Sequence, residues 1–243
     1  MPEGPSLVLL REEAQRFVGK TVRAAEGHAA FDAARMTGRR VRDVRTWGKH
    51  FLLGFAGFSL RVHLLLFGSW LIDARKPRPP RLALRFARGE LNFYGCSLRY
   101  IEGELDQAYD WSADVLSDAW SPRAARRKLL AAPERPVCDV LLDQDIFAGV
   151  GNIIRNEVLF RIRVHPESRV AALPPDRLSA LIREARRYSF EFLDWKRAGV
   201  LKRNWQVHAR QSCPNCGRKL RTTYPGRTRR RTFFCPRCQP RYA

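Results

Sequence analysis

Cys213-Pro214-Asn215-Cys216 and Cys235-Pro236-Arg237-Cys238 stand 18 residues apart near the end of a chain of 243 residues. Two such knuckles bring four thiolates around one tetrahedral zinc ion. With every position filled by protein, the site is structural and leaves no opening for a substrate. A segment this short buries too little apolar surface to fold alone, and metal binding supplies the missing free energy. The other two cysteines, Cys96 and Cys138, stand apart, so disulfides are the weaker reading. Between the knuckles, Tyr224-Pro225-Gly226 forms a turn between two short runs that read as strands. Arg227, Arg229, Arg230 and Arg231 crowd the resulting hairpin. Held rigid by zinc, that cluster becomes a presented grip for phosphate rather than a solvated charge run.

The whole chain points the same way. It carries 45 Lys+Arg against 24 Asp+Glu, a net charge of +21, most of it from arginine. Such an excess calls for a polyanionic partner, and arginine suits bidentate phosphate contacts. An anionic membrane surface fits less well, since no basic amphipathic anchor stands out. The apolar runs are too short to span a bilayer, and Arg11, Glu12 and Glu13 interrupt the start too early for a signal peptide. The expectation is a soluble intracellular protein, cytoplasmic or nucleoid-associated. No acidic cluster, H-x-E or P-loop supports a metal-dependent nuclease. His28, His50, His63, His165 and His208 show no ligand spacing and read as satisfied or surface histidines.

Upstream of the cysteines the texture is helical. Ser121-Pro122 opens Arg123–Ala132; Val137–Ile146 and Ile153–Ile162 follow; Pro174-Pro175 opens a long helix ending near Arg197. Gly149-Val150-Gly151-Asn152 joins the middle pair. Its glycines permit close backbone approach, and the N–H groups of the next helix, with Asn152 as cap, favour an anion. Further back, short runs rich in apolar, aromatic and β-branched residues predict strands: Arg39–Thr46, His50–Phe55, Ser59–Leu66, Ser69–Asp73, Arg81–Phe86, Leu91–Tyr94 and Ser97–Glu102. Arg81–Phe86 alternates larger apolar residues with Ala83 and Arg85, as a half-buried strand requires. This spacing suggests an antiparallel sandwich. Residues 103–109 read as a linker. Leu65, Leu66 and Phe67 end a strand before Gly68, which fits either core or an exposed wedge; Lys49 follows Trp47-Gly48 as a lone basic residue.

The start, Met1-Pro2-Glu3-Gly4-Pro5, precedes a helix over Ser6–Val18 with Leu7, Leu10, Ala14 and Phe17 on one stripe. With a small residue at position 2, Met1 is expected to be removed, leaving Pro2 as a secondary amine. An α-amino group titrates near about pH 8, so a useful fraction is neutral and nucleophilic. Glu3 beside it is placed to move a proton.

Taken in order, these stretches resemble the formamidopyrimidine-DNA glycosylase / endonuclease VIII family, closer to the endonuclease VIII branch. The match runs through Met1–Pro5, Gly48-Lys49, Leu142-Asp143-Gln144 to Asn152, Glu157–Phe160, and Arg230–Gln239. The resemblance implies an α+β multidomain fold: residues 1–109 an N-terminal antiparallel β-sandwich with an N-terminal helix, 110–204 a helical helix-two-turn-helix domain, and 205–243 a zinc hairpin. It implies a bifunctional glycosylase and AP lyase. Pro2 would attack C1′ of a damaged nucleotide to give a Schiff base, Glu3 would protonate the sugar ring oxygen, and β,δ-elimination would nick the strand. Lys49 would contact phosphate and sugar near the lesion, Asn152 and Arg230 would clamp flanking phosphates, and Gly149 and Gly151 would let the backbone approach.

Leu65, Leu66 and Phe67 would fill the void left by the flipped nucleotide. One structural zinc on Cys213, Cys216, Cys235 and Cys238, no catalytic metal, a monomer of bacterial origin, and double-stranded DNA with oxidised bases or abasic sites as partner complete the expectation. Oxidised pyrimidines are favoured. The alternatives are an oxidised-purine glycosylase and a non-catalytic damage-binding module. Two positions depart from the family pattern. Ser6 stands where most relatives have Glu, and Leu65 is apolar where the endonuclease VIII branch carries a polar residue.

Overall fold

The computed structural model describes residues 2–27 and 31–243; the expectations for Met1 and His28 lie outside the described residues. The chain forms two compact units, one up to Asp110 and one from Trp111 to Ala243.

The first unit begins with helix α1 (Gly4–Ala14) and a 3-10 turn over Gln15–Phe17. Leu7, Leu10, Ala14 and Phe17 are buried as their stripe requires, and Gly19, at φ +79°, ends the segment. Six strands follow: β1 (Ala24–Gly27), β2 (Asp43–Trp47), β3 (His50–Gly54), β4 (Phe58–Ile72), β5 (Leu82–Arg85) and β6 (Glu90–Glu102). They pair antiparallel in the order β1-β5-β6-β4-β3-β2. The two long strands make the sandwich. The first part of β4 pairs with β3, while the first part of β6 pairs with β5. One core of α1 and both halves results, with Leu7, Phe51, Leu60, Leu84 and Phe93 at its centre.

Three expectations are corrected here. Ser59–Leu66 and Ser69–Asp73 are one strand, β4, and Leu91–Tyr94 and Ser97–Glu102 are one strand, β6. Gly68 and Gly95, which fall in the gaps between those runs, lie within these strands at a bulge. In β5 Ala83 is as fully buried as Leu82 and Leu84, because the strand is covered on both faces. The segment 103–109 is not a free linker. It contains helix α2 (Leu105–Ala108), and the Tyr109 ring packs at a tilt against Trp47, 4.9 Å between centres.

The second unit holds α3 (Pro122–Leu130), α4 (Val137–Val140), α5 (Gln144–Phe147), α6 (Asn152–Arg161), α7 (Pro175–Arg197) and the hairpin β7 (Arg221–Thr223) and β8 (Thr232–Phe234). Ser121 and Pro122 open α3 as expected, with the Ser121 hydroxyl accepting from the Ala124 N–H. The helix expected over Val137–Ile146 is two short helices, because Asp143 caps the second by accepting from the Asp145 N–H. Helix α6 is buried on every side from Asn152 to Phe160, so it forms the axis around which α7 and the hairpin pack. Its Phe160 also joins Val207, Leu220, Phe233 and the cysteines in a small second core.

Candidate active site and nucleic-acid interface

In the first unit, Glu3 occupies the N-cap position of α1 with extended backbone (φ −122°, ψ 172°). A carboxylate there normally bonds the orphan N–H groups of its own helix. The Glu3 side chain makes no such cap bond, although the residue is wholly buried. The Ser6 N–H reaches only its main-chain carbonyl, at 2.8 Å. Pro2, half-buried, precedes it. Ser6 is itself buried in the first turn.

The far end of this segment is pinned three times. The Gln15 side chain donates to the Val44 carbonyl at 3.3 Å, the Trp70 indole donates to Glu13 at 2.8 Å, and Arg16 pairs with Asp73. A helix of 11 residues spans about 16 Å, so Pro2 is carried at the head of a fixed rod.

Helix α1 packs against β2 and β3. The turn of that hairpin is Gly48-Lys49, closed by the pair Trp47 and His50. Gly48 has φ +53°, the first position of a II′ turn, which admits glycine without strain. Lys49 is half-buried at its tip. Behind it, the His50 Nδ1 lies 3.1 Å from the Tyr109 hydroxyl, His50 and His63 meet edge-on at 5.4 Å, and the Trp47 indole donates to the Asp110 carbonyl at 2.9 Å. Burial, reinforced by the charges of Arg61 and Lys49, pushes His50 down to about 3. Burial and the same two cations lower His63. Both imidazoles are therefore neutral and cannot supply a proton near pH 7. This cluster was not legible from sequence, where Trp47-Gly48 reads only as a break between strands.

Leu65, Leu66, Phe67 and Gly68 bulge between the pairs Leu64–Cys96 and Ser69–Tyr94, with Gly95 alone opposite them. A Cβ on Gly68 would lie 2.6 Å from the Gly95 carbonyl oxygen, so only glycine closes the bulge. The three large residues are turned to solvent, Phe67 at 86% exposure. Core packing, the alternative considered from sequence, is excluded for them.

In the second unit, Asn152 is the first residue of α6, not its cap; Gly151 holds the cap position. The Asn152 amide donates to the Arg231 carbonyl at 2.9 Å, which places the arginine loop of the hairpin against the head of the helix. Its Oδ1 is buried without a protein partner. Gly149 has φ +99°, but its N–H is donated to Gln144 Oε1 at 3.1 Å and that of Val150 to the Phe147 carbonyl at 3.1 Å. Those two N–H groups of the turn are thus spent within the protein. Arg230 is exposed, beside Arg229 and Arg231.

The loop is held by side chains that the sequence did not single out. Asp139 accepts from the Arg227 N–H at 2.8 Å and from the Thr228 hydroxyl at 3.2 Å, and a Cβ on Gly226 would collide with it at 2.4 Å. Arg155 bonds the Thr232 hydroxyl, and Asn156 accepts from the Phe233 N–H at 3.2 Å. Glu157 gathers the N–H groups of Gln206, Val207 and His208 at 2.9, 3.0 and 2.7 Å. One signal was present: Arg155-Asn156-Glu157 interrupts an otherwise apolar helix without giving it a polar face.

The four cysteine sulfurs lie within 4.8 Å of one another, with Cys213–Cys238 at 3.8 Å and Cys216–Cys235 at 3.5 Å. Sulfurs at about 2.3 Å from a tetrahedral ion stand about 3.8 Å apart, so the donor set fits one metal ion.

The formamidopyrimidine-DNA glycosylase N-terminal domain matches residues 1–101, and the formamidopyrimidine-DNA glycosylase H2TH domain matches residues 112–191. The chain belongs to the formamidopyrimidine-DNA glycosylase / endonuclease VIII family. It is 30% identical to Endonuclease 8 2 of Mycobacterium tuberculosis, over 98% of this chain and 100% of that one. It is 36% identical to Bos taurus Endonuclease 8-like 2 over 75% of this chain and 58% of that one. Mus musculus Endonuclease 8-like 3 is 32% identical over 81% of this chain, which spans only 34% of that relative. Lactococcus lactis formamidopyrimidine DNA glycosylase, bound to DNA containing an AP site, has the same fold, with a TM-score of 0.85 at 22% identity, covering 98% of this chain and 100% of that one. No helix among the described residues is long and apolar enough to cross a membrane.

Proposed function

We propose that the protein is a bifunctional DNA glycosylase and AP lyase of base-excision repair, with Pro2 as nucleophile and Glu3 as its proton-transfer partner. The observation that carries this is the wholly buried Glu3 next to Pro2 at the head of a pinned rod. With Met1 removed, the Pro2 nitrogen attacks C1′ of the damaged nucleotide, the C1′–base bond breaks, and the proton that the amine gives up leaves with the base. Glu3 gives a proton to the ring oxygen as the sugar opens, leaving an iminium between Pro2 and C1′. Loss of the C2′ proton expels the 3′ phosphate, and a second elimination expels the 5′ phosphate. Hydrolysis of the iminium frees Pro2. His50 and His63, held neutral, are not the acid.

Lys49 at its turn, and Asn152 with Arg230 in the second unit, are assigned to the phosphates flanking the flipped nucleotide. The exposed Leu65, Leu66 and Phe67 take the place that the nucleotide vacates. We assign the four-cysteine site to a structural zinc ion, which fixes the hairpin and takes no part in bond breaking. Oxidised pyrimidines are the proposed substrates, on the strength of the Endonuclease 8 names of the relatives. Lactococcus lactis formamidopyrimidine DNA glycosylase has been solved with DNA containing an oxidised pyrimidine, so the shared fold accommodates that class in a relative.

Pro2→Gly and Glu3→Gln test the assignment. Each is expected to abolish nicking of a lesion-bearing duplex while leaving duplex affinity within about threefold, which is less than 1 kcal/mol. Nicking at the wild-type rate by either variant would refute it, and an intact mass that retains Met1 would remove the nucleophile altogether.

A further inference from the structure

In the second unit, α3 and α7 flank a groove of about 850 Å³ that neither the fold nor the proposed chemistry uses. Its floor is apolar. Trp120 and Ile182 are buried beneath it and Phe190 stands 39% exposed at its edge. Phe190 is held by Arg186, whose guanidinium lies 5.1 Å from the ring centre and donates to the carbonyls of Val115 and Ser117 at 3.1 and 2.8 Å. The rim is cationic. Its two carboxylates are already neutralised, Glu191 by Arg161 at 2.7 Å and Asp194 by Arg197 at 3.0 Å. Among the described residues, no carboxylate pairs with Arg123 or Arg183, and both are exposed at the rim.

We propose that this groove is a docking site for an acidic segment of a partner protein that inserts one large apolar side chain. The two halves of the observation select that chemistry together. Unneutralised guanidiniums call for carboxylates, and an apolar floor with a fixed aromatic edge calls for an apolar anchor. A nucleic-acid backbone would satisfy the rim but would leave the floor without a partner, since phosphate contacts are polar. A groove of this volume lies in the range that buries most of such an anchor with its neighbours.

The test uses the full chain and fluorescence anisotropy. The probe is a short labelled peptide of Asp and Glu flanking one Phe. Its controls carry Ser in place of the Phe, or Asn and Gln in place of the acids. The groove predicts that each control binds at least about tenfold more weakly than the probe. Phe190→Ala, which leaves the charge unchanged, and Arg123→Glu with Arg183→Glu should each cost at least about tenfold in probe affinity. Arg39→Glu with Arg42→Glu, the same charge change on the first unit, should cost much less. Equal binding of the Ser control, or equal losses from the two double variants, would mean general attraction to a basic protein and would overturn the proposal. Unaltered probe affinity in Phe190→Ala would do the same. Loss of plain duplex binding in the Arg123/Arg183 variant, with no probe binding by the wild type, would assign the groove to the DNA backbone instead.

Discussion

At the scale of single residues, position in the fold decides which titratable groups can work. Glu3 is buried without capping its helix, whereas His50 is buried as a neutral ring. The second fact has a consequence for stability. In the unfolded chain a histidine titrates near about 6.5. In the folded chain His50 does so at about 3. Between these values the unfolded state binds the extra proton, so stability is complete above the unfolded value and falls as pH drops through the window. Unfolding by urea at pH 7 and at pH 4 should differ by up to about 3 kcal/mol from this group alone. His50→Gln, which keeps a partner for Tyr109, should flatten the dependence; an unchanged slope would show that His50 is not its source. Pro2 and Glu3 could be proposed from sequence alone because the chemistry assigned to them depends on covalent position. The neutral state of His50 was not legible, because it comes from burial first and then from Arg61, His63 and Lys49, which only the folded sheet assembles.

Among elements, the bulge of β4 and the cysteine hairpin carry the contacts assigned to DNA. Phe67 is exposed, so Phe67→Ser should change stability by no more than about 0.5 kcal/mol. It should slow base release from a lesion-bearing duplex at least about tenfold, yet spare nicking at a preformed abasic site, where no damaged base remains to be expelled. Equal slowing on both substrates would place Phe67 elsewhere in the reaction. Chelating the metal under reducing conditions should remove hydrogen-exchange protection from residues 213–238 and weaken duplex binding at least about tenfold. Unaltered binding after verified metal loss would contradict the role given to the hairpin.

The helices opened by Ser121-Pro122 and Pro174-Pro175, and the hairpin around Pro225-Gly226, were readable because their signals are local. The unbroken course of β4 and β6 was not. Gly68 and Gly95 serve a close backbone approach across the pair, and in a single sequence that need looks the same as a strand end. The grip of Asp139, Asn152, Arg155 and Glu157 on the second core was hidden for a related reason, as each partner lies about 50 to 90 residues away.

Across the whole molecule, one logic joins the net charge of +21, the arginine loop and the buried polar side chains of α6. Charge supplies affinity that any duplex can satisfy. In the proposed function, rigid placement of a few groups turns that affinity towards one nucleotide. The chain spans 34% of the Mus musculus relative and the whole of the Mycobacterium tuberculosis one, so its relatives differ widely in length. The proposed chemistry turns on a covalent intermediate between Pro2 and C1′.

Borohydride would trap that intermediate on duplexes carrying either an abasic site or an oxidised pyrimidine. Pro2 catalysis predicts a stable protein–DNA adduct on both, mapped to the N-terminal peptide and lost in Pro2→Gly. An adduct on neither duplex while binding remains tight, or undiminished trapping by Pro2→Gly, would contradict it.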